Sequence, residues 1–190
     1  MSDEVKKSAE RKHRTIIEEG YINSQLPKEE KTFTRMYDDS VTLVSAGIET
    51  TGYTLSTATF HLLTNPNINA RLRRELAEVW PDTNAIPSWR TLEKVPYLKA
   101  VITEALRITV GAATRSARIN HHESMQYGDW QIPPHTAVSM SSSFTSLNKT
   151  IFPEPWAFRP ERWLRGEESK QLEKYLVSFS RGARQCLGIK

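Results

Sequence analysis

The chain has 190 residues with 38% hydrophobic and 25% charged, enough for one buried core and neither disordered nor membrane-like in composition. Its net charge of +4 is too weak to indicate a nucleic-acid partner. The single cysteine, Cys186, rules out an internal disulfide or a CxxC zinc pair and suits a reducing compartment.

Residues 3–19 read as a short polar helix. Lys6, Lys7, Arg11, Lys12 and Arg14 interleave there with Asp3, Glu4, Glu10, Glu18 and Glu19, the pattern of a solvated face. The start is charged and shows no apolar signal-peptide region. After a loop with Leu26-Pro27, a helical pattern runs from about Thr32 to Leu63. Phe33, Tyr37, Val41, Val44, Ile48, Leu55 and Leu62 fall on one stripe of it. Gly47, Gly52 and many threonines make it a poor helix by propensity, so it is expected to be irregular near Gly47, strained by function or lined by something large. The longest stretch free of Asp, Glu, Lys and Arg, residues 50–70, contains Asn65-Pro66-Asn67 and is not a bilayer span.

Asn65-Pro66 ends that helix, and Ile68 to Trp80 reads as the next one, stopping before Pro81. A proline-containing loop leads to a helical turn at Ser88–Thr91, and a further helix covers Val95 to Ile108. Residues 114–140 change character. Short runs at 124–127, 130–132 and 137–140, separated by Gly128-Asp129 and Pro133-Pro134, read as small hairpins. Beyond Asn148 the chain is rich in proline, aromatics and arginine, with one short helix near Lys170 to Tyr175. The fold class is therefore mainly α with a small antiparallel β part.

Four runs carry chemistry. In Phe179-Ser180-Arg181-Gly182-Ala183-Arg184-Gln185-Cys186-Leu187-Gly188 the lone thiol sits in a glycine loop, where backbone can approach a large planar ligand closely. Glu104 and Arg107, at i and i+3, share one helix face. Phe158-Arg159-Pro160-Glu161-Arg162-Trp163 supplies a second arginine. Ala46-Gly47-Ile48-Glu49-Thr50-Thr51 lies in the weak helix, where a threonine hydroxyl can open the hydrogen-bond ladder and hold water. Taken singly, three of them have a plain structural reading: an inert buried cysteine, a surface ion pair, a threonine-rich core helix.

Together, in this order, they resemble the FxxGxRxCxG haem-ligand loop, the ExxR helix, the FxPERF segment and the oxygen-activation motif of the cytochrome P-450 family of haem-thiolate monooxygenases, with a fungal character. The resemblance spans nearly the whole chain. It implies that residues 1–190 form a partial P-450 domain, the C-terminal half ending at the haem-ligand loop. The oxygen-binding helix would lie at about 32–63, the ExxR helix at about 95–108, the β region at about 114–140 and the loop at 179–188. It implies haem b with Cys186 as axial thiolate to the iron, and Phe179, Gly182, Arg184 and Arg118 as further cofactor-binding residues. Arg115 is the weaker candidate for the propionate arginine beside Arg118. Thr50 and Glu49 would relay protons. Glu104, Arg107 and Arg162 would form an ion triad, and Trp163 stands where the family usually has phenylalanine, keeping the aromatic role. The family's usual proline pair after the ExxR helix is missing, with Thr109-Val110 in the region.

The reaction so implied inserts one atom of dioxygen into a small apolar organic substrate, with NADPH electrons delivered by a flavoprotein reductase docking near Arg181 and Arg184. No nucleic-acid partner and no membrane span within the chain are expected. Full-length eukaryotic relatives are anchored in the endoplasmic-reticulum membrane facing the cytosol, while the fragment's own location is open. The alternative is a truncated, catalytically inactive remnant, exposing apolar patches and holding haem weakly. A helical interaction module has no motif in its favour. His13, His61, His121, His122 and His135 show no ligand-like spacing, and His121-His122 reads as an exposed turn rather than a metal pair.

Overall fold

The computed structural model describes Glu19, Tyr21, residues 25–111 and residues 113–189. The polar helix expected over 3–19 lies outside the described residues except for Glu19. The chain divides into two compact units, residues 1–49 and 50–190.

In the first unit, a 3-10 turn at Lys28–Glu30 precedes a 32-residue helix, α1 (Phe33–Thr64), which continues into the second unit. Polar contacts dominate its start. The Thr32 hydroxyl accepts from the Arg35 backbone N–H at 3.2 Å, Arg35 pairs with Glu30 and Asp39, and the Tyr21 hydroxyl donates to Asp39 at 3.0 Å. One expectation for α1 is corrected: the helix is continuous through Gly47 and Gly52, with no irregular turn. Phe33, Tyr37, Val41, Val44, Ile48 and Leu55 are exposed, and no residue of α1 is buried. Its threonine hydroxyls meet their hydrogen-bonding need on the helix's own carbonyls. Thr42 donates to the Asp38 carbonyl at 2.8 Å, Thr54 to that of Thr50 at 3.0 Å and Thr64 to that of Phe60 at 2.8 Å.

In the second unit, Pro66 does more than end α1: it is the first residue of α2 (Pro66–Val79), where its missing N–H costs nothing. A one-turn helix, α3 (Trp89–Leu92), is capped by Ser88, whose hydroxyl accepts from the Thr91 N–H at 3.2 Å. The central helix α4 (Pro96–Thr109) also begins on a proline. Its face of Tyr97, Val101 and Ala105 closes the core with Leu72 of α2 and Phe158, while Ala58, Leu62, Leu76 and Ile108 pack around them. The Tyr97 hydroxyl donates to Glu161 at 2.7 Å and the Arg71 guanidinium lies 4.1 Å from its ring centre. Burial, with Glu161 alongside, raises the pKa of that phenol.

Two small antiparallel sheets follow. Met125–Tyr127 (β2) and Trp130–Ile132 (β3) form the hairpin around Gly128-Asp129. Ala137–Val138 (β4) pairs instead with Arg118–Ile119 (β1), so the β part is two separate pairs. After α5 (Ser143–Ser146) and a 3-10 segment at Pro160–Leu164, α6 spans Glu167–Glu173. That helix starts earlier than Lys170, because Gly166 at φ 57° turns the chain and Glu167 and Glu168 favour a helix N-terminus.

Candidate functional site

Glu104 is the most densely bonded side chain of the second unit. Its Oε1 accepts from Arg107 Nη2 at 2.8 Å, Arg162 Nε at 3.0 Å and the Arg159 backbone N–H at 3.0 Å. Its Oε2 accepts from Arg107 Nε at 2.9 Å and from the indole N–H of Trp163 at 2.9 Å. Glu104 and Arg107 are wholly buried and Arg162 is 6% exposed. The remaining guanidinium donors meet carbonyls: Arg107 Nη1 that of Ser146 at 2.8 Å, and Arg162 those of Pro153 and Ala157 at 3.3 Å each. Phe152, also wholly buried, lies 5.1 Å from the Arg107 guanidinium and 6.0 Å from that of Arg162. Burial pulls the pKa of Arg162 down, opposed by the Glu104 charge. One carboxylate against two guanidiniums leaves a buried excess positive charge, tolerable because each of the six guanidinium nitrogens has an acceptor.

The knot reaches further than the Glu104–Arg107–Arg162 triad. The Arg159 amide and the Ser146 carbonyl leave no side-chain signal in the sequence. The role of Trp163 could have been found there: replacing phenylalanine by tryptophan beside a buried carboxylate adds a donor as well as bulk.

From the knot, α4 leads to the cysteine loop. Its last turn ends in Val110 at φ 58°, a left-handed residue and a costly one for a β-branched side chain, and Gly111 follows at φ 51°. A Cβ on Gly111 would stand 3.1 Å from the Ser178 carbonyl oxygen, so only glycine lets the two segments meet there. The Ser178 hydroxyl donates to the Leu106 carbonyl at 2.7 Å, tying the chain just before the cysteine loop to the end of α4. Val110 itself is buried and lines no open surface, while residues 113–115 are exposed. A Thr54–Thr109 hydroxyl contact of 3.3 Å links α1 to the same helix end.

The loop is pinned by its backbone. The Cys186 N–H donates to the Phe179 carbonyl at 2.9 Å, and the Gln185 N–H to that of Gly182 at 3.1 Å. Gly182 stands at φ 80°, a conformation that favours glycine. Arg181 is committed elsewhere: its Nη2 donates to the carbonyls of Glu173 and Lys174 at the end of α6, at 3.2 and 2.7 Å. Cys186 and Arg184 are exposed, Phe179 is half-buried, and Cys186 is in no disulfide. Gly188 leaves the sulfur clear, since even an added Cβ would lie 3.8 Å away. A single outward thiol on a tied loop, with an exposed cation two residues before it, fits an axial thiolate ligand to haem and a partner for one of its carboxylates. Arg118 in β1 is exposed, with one long 3.4 Å contact to the Ala117 carbonyl, and Arg115 is exposed nearby in sequence. Glu49 and Thr50 are exposed on α1. The structure thus gathers the knot residues around one carboxylate and presents Glu49, Thr50, Arg118, Arg184 and Cys186 at the surface.

Among the described residues no helix is long and apolar enough to cross a membrane, and no three His, Cys, Asp or Glu side chains gather as a metal site. The sequence profile described as "Cytochrome P450" matches residues 2–190. The chain is 40% identical to the cytochrome P450 monooxygenase pbrB of Penicillium brasilianum, over 98% of this chain and 37% of that protein. It is 43% identical to TRI4 of Trichoderma arundinaceum, over 86% of this chain and 32% of that one. With claJ of Penicillium crustosum the identity is 44%, over 88% and 39%. Both are also named cytochrome P450 monooxygenases. The chain therefore spans well under half the length of these curated relatives.

Proposed function

The chain belongs to the cytochrome P450 family, and from that premise we propose that it is the thiolate-bearing part of a haem-dependent monooxygenase. The observation that carries this reading is the outward thiol of Cys186 on a loop whose backbone is fixed at Phe179 and Gly182. Bound haem would supply the oxygen-activating and electron-accepting chemistry. The residues of this chain supply its hold and its surroundings. Cys186 would provide the thiolate that holds the iron, and Arg184 and Arg118 would provide guanidiniums for the haem carboxylates. The Phe179 carbonyl occupies the Cys186 N–H and so fixes the direction of the Cα–Cβ bond. The Thr50 hydroxyl can hold a water, and the exposed Glu49 carboxylate can exchange protons with solvent, which together make a proton relay.

The substrate class is a small apolar organic molecule, which takes one atom of dioxygen while the other leaves as water. The electrons come from NADPH through a flavoprotein reductase. Such a partner's acidic surface would dock on the basic side of the haem loop near Arg181 and Arg184, where Arg181 also ties down α6. The test is the carbon-monoxide difference spectrum of the reduced protein produced from its own gene. The red-shifted Soret band of thiolate-ligated haem, lost in Cys186→His, supports the proposal. A protein that takes up haem without that band, or takes up none, is the inactive remnant instead.

A further inference from the structure

His121 and His135 face each other outside the haem-ligand loop and outside the knot. Their Nδ1 atoms stand 3.2 Å apart, with ring centres at 5.2 Å and planes crossing at 66°. The ladder explains the meeting. β1 and β4 pair Arg118 with Val138 and Ile119 with Ala137, and that register, continued two residues past Ile119, sets His121 opposite His135. Directly opposed residues of an antiparallel pair bring their side chains within reach of one another.

Both backbones are held. His135 sits in the left-handed region at φ 62°, and its N–H donates to the Asn120 carbonyl at 2.8 Å. The Asn120 side-chain oxygen accepts from the N–H groups of His122 at 3.0 Å and Glu123 at 3.3 Å, closing the turn after His121. The two Nδ1 atoms are thus brought within reach of one another by strand pairing and a fixed turn.

We propose that His121 and His135 form a two-histidine site for a divalent zinc-like ion, bound through both Nδ1 atoms and completed by water. Zinc binds imidazole nitrogen at about 2.0–2.1 Å with tetrahedral angles, which sets two ligand nitrogens about 3.3–3.4 Å apart. The 3.2 Å separation is close to that tetrahedral edge. No third His, Cys, Asp or Glu joins them among the described residues, which makes the site open and exchangeable rather than structural and closed. Without metal the same contact is a hydrogen bond, one Nδ1 donating and the other accepting. Zinc on both Nδ1 atoms leaves each ring's proton on Nε2, so the ring that donated the hydrogen bond changes tautomer. Bound to the folded chain, the ion clamps β1 to β4 and stabilises them by mass action.

The experiment is calorimetric titration with zinc chloride in a common Cys186→Ser background, which removes the exposed thiol as a rival ligand. His121→Asn and His135→Asn are compared with His122→Asn, and nitrogen-15 spectra of the imidazoles report which ring atoms bind. Asparagine tolerates the left-handed backbone at 135, so that variant keeps the turn. One ion per chain is expected. Either of the first two substitutions should weaken binding about 10-fold or more, because losing one imidazole removes the intramolecular second contact. The double variant should be little weaker than either single one, and His122→Asn should match the parent. Zinc should also raise the melting temperature of the parent but not of His135→Asn. The absence of saturable binding, equal weakening by His122→Asn, or coordination through Nε2 atoms would each overturn the proposal and leave only the histidine–histidine hydrogen bond.

Discussion

Two regions, both marked by family motifs, have opposite surroundings. Around Glu104 one buried carboxylate takes five hydrogen bonds, from two guanidiniums, an indole and a backbone amide. Around Cys186 every residue from Arg181 to Ile189 is exposed, and apart from the Arg181 side chain on the end of α6 the ties are backbone to backbone. The knot completes its chemistry within the chain. The loop fixes the position of its thiol and keeps the sulfur available to a ligand. On the proposed function the first region is scaffold and the second is site, with Ser178 and Gly111 as the joint between them.

The sharpest way to break this division is at Glu104. Glu104→Gln keeps the volume but leaves two buried guanidiniums without an anion. It should lower unfolding stability by about 3–5 kcal/mol in urea titration, a large share of the roughly 5–15 kcal/mol of an ordinary domain. Trp163→Phe restores the usual family residue and removes one donor to a charged acceptor. A loss of about 1.5–3 kcal/mol is expected in the same titration. An unchanged midpoint would mean that the indole contributes only its ring.

Gly111→Ala probes the joint. It forces a Cβ towards the Ser178 carbonyl at a positive φ and should cost about 1–2 kcal/mol. Unlike the knot variants, it should also loosen the cysteine loop, seen as faster hydrogen exchange at the Cys186 amide. His61 gives a smaller, pH-dependent effect. Its ring stacks on Phe158 at 4.5 Å, and burial holds it below the usual imidazole range despite the opposing pull of Glu104. The unfolded chain therefore takes up this proton first. Its contribution is present above the unfolded value of about 6.5 and is lost as pH falls through the lower folded value. His61→Phe keeps the stack and should flatten the stability loss between neutral and mildly acidic pH relative to the parent. A loss just as steep in the variant would assign the drop to other groups.

What was legible in the sequence followed the same line. Helices α2 and α4 and the β2–β3 hairpin could be read from periodicity, proline position and the Gly128-Asp129 turn, because local chemistry decides them. The residues of the knot could be picked out because a motif marked them. The β1–β4 pairing could not, since strands this short carry no alternation long enough to choose a partner. The irregular turn expected near Gly47 was a misreading, since glycine and threonine lower helix propensity without breaking a long helix, and α1 runs on through Gly47 and Gly52. The Ser178–Gly111 joint was invisible as well: a glycine needed for a close approach looks like any other glycine until both segments are in place.

The most direct measurement is Cys186→Ser followed by both unfolding and spectrum. Its side chain is exposed and in no disulfide, so unfolding stability in the absence of haem should stay within about 0.5 kcal/mol of the parent. With haem added, the reduced carbon-monoxide band of thiolate ligation should disappear. A stability loss comparable to that of Glu104→Gln, or a thiolate band that survives without the sulfur, would contradict the division between scaffold and site.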